Sequence, residues 1–452
     1  MSRVIIFIIL ILLISKNSFP LEFLSKDLSS ALSQAYNYNY KIKIERKKLF
    51  EKDEMIPQAF SEFRPSIKGY YNKGKVDTAI SGSNFIIDGV RTETNSGIKI
   101  NQPIFNGGST LSKIKSAENL ILSQRFNLKN TEQMVFLDTI KVYSEIASLL
   151  SQIDLNKKNV EFLKKQLDLT NDQFEIGDVT LTDLSIAKSR LLLGKSKLIK
   201  SESELIAITQ KYESIIGVKP IKPELFFNFP KINLSLKKML ENSIKLNPNI
   251  TSIRYKIKSI KNEVKTLQRK KLPTIELEAE AKKNKGYFKT DSSREVMSAF
   301  TIIDIPIYQS GAASSKIREI RRKLESEKDF LNSSINDLKY QIVESWSAYN
   351  SSESKIDAYK EQIEANKKFL EGLKQELFLG ERTTLDILDG EQELLESSVN
   401  LVKSYQEYFN SYFEILSYLG NLNPEYLNLD VEIFDDEQNF REVKYKWLDL
   451  VE

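Results

Sequence analysis

The sequence predicts a mainly α-helical fold with a β part suited to a barrel: a duplicated unit of long coiled-coil helices, each copy carrying one β-hairpin. The first observation behind this is an internal repeat. Pro103, Ile104, Phe105, Gly108, Ser112, Lys113 and Ile114 return about 203 positions later as Pro306, Ile307, Tyr308, Gly311, Ser315, Lys316 and Ile317. The same shift carries Gly177, Thr180 and Asp183 onto Gly380, Thr383 and Asp386, and Gly217 onto Gly420. Upstream the shift becomes about 208, taking Leu32, Asn39 and Pro65 onto Leu240, Asn247 and Pro273. Copy one therefore has a tolerant loop between Pro65 and Pro103. The second observation is length. No proline interrupts the polar, Leu/Ile-punctuated stretch from Ser109 to Phe174, which at 1.5 Å per residue makes a helix of about 100 Å. A helix of that length needs a coiled-coil partner. The third is alternation: Ile275, Leu277, Ala279 and Ala281 interleave with Glu276, Glu278, Glu280 and Lys282, giving a strand with one apolar and one charged face.

Taken in order, residues 4–14 are apolar throughout and follow Arg3. That is the length of a signal-peptide core and well short of the ~20 residues a spanning helix needs, so 1–19 is expected to be a signal peptide, with an uncleaved anchor as the alternative because Lys16 and Ser18 stand where small residues would mark cleavage near Phe19. The first repeat is expected over 20–216. It comprises a helix from about Leu28 to Phe63, a hairpin at about 65–106, the long helix, a tip at about 174–182 and a return helix at about 181–216. Residues 217–235 link it to a second repeat over 236–419, with a hairpin at about 273–306, a tip at about 378–384 and its own return helix. Residues 420–452 form a C-terminal segment. The return helix carries a seam: Leu184, Leu191, Leu198, Leu205 and Tyr212 repeat every seven, with Ala187, Gly194, Ser201, Ile208 and Ile215 between them. Ile387, Leu394, Leu401, Tyr408 and Ile415 repeat the pattern in copy two, interleaved with Gly390, Ser397, Ser404, Ser411 and Tyr418. Large residues facing small ones let helices approach closely, so these positions are scaffold.

Composition excludes several classes. The chain has no cysteine and no histidine, which removes a disulfide framework, the commonest metal ligand and the usual general base. A net charge of +4 without a run of Lys or Arg does not suggest nucleic-acid binding. No nucleophile–base set or phosphate loop stands out, so no enzyme and no cofactor is expected. The hairpin strands suit a transmembrane β-strand of ~9–11 residues. Two hairpins supply only four strands, and an open edge in lipid is forbidden. If the strands lie in a membrane, the chain must oligomerise.

Gln102 through Gly108 before a long helix, with the tip segments Phe174–Asp183 and Leu379–Asp389, resembles the hallmark of TolC-type outer-membrane channels. The resemblance covers essentially the whole mature chain. It implies a homotrimer in which twelve strands form one barrel in outer-membrane lipid and helical columns continue it as a tunnel in the periplasm, with 217–247 and 420–452 in an equatorial belt. It also implies partners: a periplasmic membrane-fusion adaptor and an inner-membrane efflux pump or ABC exporter. A non-channel structural or adaptor coiled-coil protein is the competing expectation, and it leaves the hairpins and the duplication unexplained. Two departures are visible: Ser310 stands where copy one has Gly107, and Leu377 stands where the archetype carries a gate tyrosine.

At the tips, Gly177 and Gly380 suit left-handed helix C-caps. Thr180 with Asp183, and Thr383 with Asp386, have capping-box spacing. Helix-turn-helix chemistry accounts for these residues without further function, but not for Arg382 or Asp389. By the resemblance, Arg382 would bond Thr182 or pair with Asp183 as a gate. Asp386 and Asp389, three apart on one helix face, would form cation-attracting rings in the pore. Gly177, Thr180, Gly380 and Thr383 would form the adaptor docking surface.

Overall fold

Two asparagines fix where the first helices of each copy break. Asn39 takes an extended ψ of 125°, its side chain accepts from the Lys41 N–H at 2.9 Å, and its amide donates to the Ile215 carbonyl at 2.9 Å. Asn247 repeats the bend with ψ 124°. The computed structural model describes residues 24–82, 85–87, 89–221, 223–225, 229–287, 289 and 291–447; the expected signal segment 1–19 lies outside them. The single helix expected from Leu28 to Phe63 is instead three: α1 (Lys26–Tyr38), α2 (Tyr40–Asp53) and α3 (Met55–Phe60), followed by one 3₁₀ turn. An Asx-type bond offers the backbone an alternative to the helix at Asn39, and sequence periodicity alone does not register it.

The other elements follow the repeat. Strands β1 (Ser66–Asp77), β2 (Ile80–Gly82), β3 (Phe85–Ile87) and β4 (Val90–Asn106) lead into α4 (Ser109–Glu175) and α5 (Leu181–Ile216). Copy two gives α6 (Leu236–Leu246), α7 (Pro248–Arg269), β5 (Thr274–Lys285), β6 (Ser293–Asp304), α8 (Ala312–Phe378) and α9 (Thr384–Tyr418), and α10 (Gln438–Val443) is the last element among the described residues. Both long helices run 67 residues without interruption.

The chain divides into two compact units. One takes the chain up to Glu45 with 127–250 and 334–434. Its core includes fully buried Tyr36, Phe136, Tyr143, Phe409 and Phe413, and the long and return helices approach closely at the glycines of the seam. A Cβ on Gly194 would lie 2.8 Å from Leu163, and one on Gly390 would lie 3.0 Å from Leu373. The Asn156 amide donates to Ser201 at 3.1 Å and the Asn366 amide to Ser397 at 3.3 Å across the seam, while Ser404 and Ser411 donate to carbonyls of their own helix. The linker docks through Phe229, stacked on Tyr412 at 4.6 Å between ring centroids.

The second unit takes 46–126, 251–333 and the segment from Asp435. It holds an antiparallel sheet in the order β1-β4-β5-β6. The pairing of Ile98 with Ala281 and of Ile100 with Ala279 puts Ile67, Tyr71, Ile98, Ile100, Leu277, Met297 and Ile303 on one face. The opposite face carries Lys99 bonded to Glu278 at 2.8 Å, and Tyr70 donating to Glu280 at 2.9 Å across Gly97. The C-terminal segment is held by Arg125, which pairs with Glu437 at 2.8 Å, and by Arg64, which donates to the Lys446 carbonyl at 2.8 Å.

Candidate functional site

The helical tips are built by the chain's own backbone rules. In copy one α4 ends in a Schellman arrangement: the Asp178 N–H donates to the Gln173 carbonyl at 2.8 Å and the Gly177 N–H to Phe174 at 3.0 Å. Gly177 has φ +81°, where a side chain is strained. Copy two repeats it, with Glu381 donating to Glu376 at 2.9 Å, Gly380 to Leu377 at 3.0 Å, and Gly380 at φ +79°. Thr180 and Thr383 then open α5 and α9 with complete capping boxes. A Cβ on either tip glycine would meet nothing within 4 Å. The glycines are therefore set by backbone geometry and leave open space above them. Large apolar side chains surround that space without cover: Ile176 is 79% exposed, Leu181 64%, Phe378 91% and Leu379 70%.

Charges at the tips are arranged differently from the expected network. Asp183 spends its carboxylate on its own cap, accepting from the Thr180 hydroxyl at 2.7 Å and the Thr180 N–H at 2.9 Å; these two bonds hold its carboxyl below the ordinary range. Asp386 does the same with the Thr383 N–H and hydroxyl, each at 2.8 Å. Within the chain Arg382 meets neither Thr182 nor Asp183. Its Nε donates to Glu376 at 2.7 Å, inside its own hairpin, and Thr182 stays exposed in the first turn of α5. Leu377, in the place of the archetype's tyrosine, is an apolar contact: it packs against Leu370, Leu373 and Ile387. Among the described residues no group of three metal-capable side chains occurs in one chain, so neither Asp386 nor Asp389 belongs to such a cluster.

Sequence reasoning missed Arg190. Its Nη2 donates to Asp389 Oδ1 at 2.6 Å and joins the return helices of the two copies. The adjoining residues Leu191 and Leu388 are buried together with Leu163, which fixes both backbones beside the pair. No repeat signal was available, because the residue about 203 positions after Arg190 is Glu393.

The model of the outer membrane efflux protein family matches the chain twice, over 31–217 and 239–421. The outer membrane efflux protein BepC of Brucella suis is 25% identical over 428 residues, covering 94% of this chain and 92% of that protein. TolC of Escherichia coli is 22% identical over 319 residues, covering 67% and 64%. Among solved structures, VceC of Vibrio cholerae superposes with a TM-score of 0.76 at 14% identity over 90% of this chain and 98% of that one. The CmeC channel of Campylobacter jejuni gives 0.76 at 15% over 93% and 89%. Two family matches in one chain coincide with the two copies of the repeat, and the fold of the solved channels is the fold of this one. The chain belongs to the outer membrane efflux protein family and is an exit duct of the outer membrane.

Proposed function

We propose that three copies of this chain close into one passive duct, docked at its helical tips to a periplasmic adaptor and served by an inner-membrane pump or ABC exporter. The relatives include TolC and the alkaline protease secretion protein AprF of Pseudomonas aeruginosa, so both drug efflux and type I secretion are compatible with the family. Energy enters at the pump, and the duct needs no cofactor.

The observation that carries the reading is a difference in strand length. Shifted by 208, β5 (Thr274–Lys285) falls on β1 (Ser66–Asp77) end for end, and β6 (Ser293–Asp304) shifted by 203 falls on 90–101. Yet β4 runs on to Asn106, because β5 lies beside it to pair with Pro103, Phe105 and Asn106. After Asp304 the equivalent residues lack that neighbour within the chain, and Ile307 and Tyr308 are 93% and 84% exposed. A second copy's β1 would supply it. Carrying the β4–β5 register through both shifts pairs Ile303 with Tyr71 of the next copy, Tyr308 with its Ile67 and Gln309 with its Ser66. Repeating that step leaves no open edge, as lipid requires, and three chains of four strands give a twelve-stranded barrel, within the usual even-numbered range.

The test uses the absence of native cysteine. An Ile303→Cys/Tyr71→Cys chain is expected to form disulfide-linked oligomers up to the trimer, since opposed residues in a ladder stand ~4.5–5.5 Å apart. Ile303→Cys/Ile67→Cys, four residues out of register, is the control. Cross-linking of the control pair in preference to the first would reject the register.

At the tips the uncovered apolar residues around Gly177, Thr180, Gly380 and Thr383 support an adaptor-docking surface. The gate assigned to Arg382, Thr182 and Asp183 would have to form between copies, because Arg382 is turned to Glu376 within its own chain. Asp386 and Asp389 would form the acidic rings.

A further inference from the structure

The two acidic positions of α9 differ in what holds them. Asp386 is bound by the N–H and hydroxyl of Thr383, neutral groups, and feels the Arg382 charge only at longer range, with no cation bonded to it. Asp389 is met by a full positive charge from the other copy of the repeat, at 2.6 Å. The nearby cation Arg382 is occupied by Glu376 on its own hairpin, and Lys374 lies over the Phe162 ring at 5.9 Å. Arg190 and Asp389 are partly exposed, with side-chain accessibilities of 33% and 55%. A pair so wet contributes little to holding helices together. The buried contacts of Leu163, Leu191 and Leu388 do that, and they place the two charged groups as a by-product of their packing. What the pair changes is the local charge.

We propose that Arg190 is a tethered counter-ion for Asp389. While the two helical hairpins are packed together it cancels that carboxylate, leaving Asp386 as the acidic position with no cation bonded to it. When the hairpins part, Asp389 is unmasked, so the preference of the tip for small cations rises with opening. Arg190 thereby acts as a specificity-determining residue for the ions that pass or block the duct. This rests on the reading that the tips constrict the duct.

The experiment is the reversal potential of the full-length protein in planar bilayers under a potassium chloride gradient, together with block by a trivalent cation such as hexamminecobalt. Arg190→Gln is expected to increase cation preference and to strengthen block by about fivefold, the factor for one unit charge near another in water. Arg190→Lys keeps the charge and should behave as the wild type. Arg190→Gln/Asp389→Asn should return the reversal potential toward the wild-type value, a rescue that a purely packing role would not produce. Asp386→Asn separates the two ideas. If it lowers cation preference while Arg190→Gln changes nothing, the counter-ion proposal fails and the constriction reading stands. If Asp386→Asn, Asp389→Asn and Arg190→Gln all leave reversal potential and block unchanged, the tips do not constrict the duct and both fall. Each variant is first confirmed as an assembled oligomer in detergent.

Discussion

At the end of β4, Gly107 turns the chain into α4 with φ +58°, and a Cβ there would stand 2.4 Å from the Arg269 carbonyl and 2.9 Å from Leu272. At the matching place after β6, Ser310 makes the same turn with φ +51°, and the following Gly311 has nothing within 4 Å of a Cβ position. The backbone is the same; the surroundings are not. Copy one's junction is clamped inside the chain, with Arg269 also donating to the Gly108 carbonyl at 3.0 Å and to Ser112 at 2.6 Å. Copy two's junction is open. For the proposed ring the difference is instructive: the junction that copy one covers with copy two is left, on copy two, for the next chain to cover. Where a serine tolerates a left-handed turn and a glycine is obligatory then reads out which packing is made within the chain.

The largest expected effect breaks the face assignment that the proposed ring depends on. Leu277→Arg puts a charge on the apolar face of β5 and should prevent assembly in the outer membrane, at about 2–4 kcal/mol near the bilayer midplane. Glu278→Gln, on the opposite face, removes only an ion pair with Lys99 and should assemble. The readout is heat-modifiable oligomer in outer-membrane fractions. Equal assembly of the two variants would reverse the faces.

Next are the tips, where the copies do not differ in backbone. Gly177→Trp and Gly380→Trp each add bulk into open space at a left-handed residue. Both should abolish export measured by substrate retention, with oligomer and barrel insertion intact. If only one does so, the docking surface belongs to one copy, and the equivalence of the tips is limited to their turn geometry.

Much of this was written in the sequence, for a physical reason. The repeat, the long helices and the capping boxes are local patterns whose causes, periodicity and orphan backbone groups, act within a few residues. The seam was legible because Gly194 and Gly390 are small for a contact that recurs in both copies. The break at Asn39 was not, because it depends on what the side chain finds in space: the Asn39 amide reaches the Ile215 carbonyl, far along the chain. Arg190 was invisible for the same reason. Its partner is 199 residues away and its counterpart in copy two carries the opposite charge. Arg382 shows the converse. Its motif is legible, but its partner Glu376 is selected by reach within one hairpin.

A pair of swaps sharpens the junction comparison directly. Gly107→Ser should destabilise by about 1–3 kcal/mol, because its Cβ meets rigid backbone and the site must shift to admit it. Ser310→Gly should leave thermal stability within ~0.5 kcal/mol, as expected for an exposed substitution. Denaturation of the detergent-solubilised protein checks both. A Ser310→Gly loss as large as that of Gly107→Ser would mean that copy two's turn is as constrained as copy one's, and that the asymmetry lies elsewhere.

The smallest effect concerns Asp53, which copy one buries beneath the C-terminal segment. Asp53 is fully buried, and Asn439 donates to one of its carboxylate oxygens at 2.8 Å. The other oxygen has no hydrogen-bond partner among the described residues. Burial pushes its carboxyl above the ordinary value of 3.8, against the opposing effects of the Asn439 bond and the Arg125 charge. For a folded-state value raised above the unfolded one, the stabilising contribution is full below the unfolded value and is lost as pH rises through the folded value. Buried charge at Asp53 is therefore a small liability at neutral pH that protonation relieves. Asp53→Asn keeps an acceptor for Asn439 and cannot ionise. Its melting temperature should exceed the wild type's at pH 7 by a few degrees at most, and the gap should narrow as pH falls through the carboxylate range. A gap that widens on acidification would show that Asp53 is held ionised by Arg125, making the clasp of the C-terminal segment an ion pair in place of a buried acid.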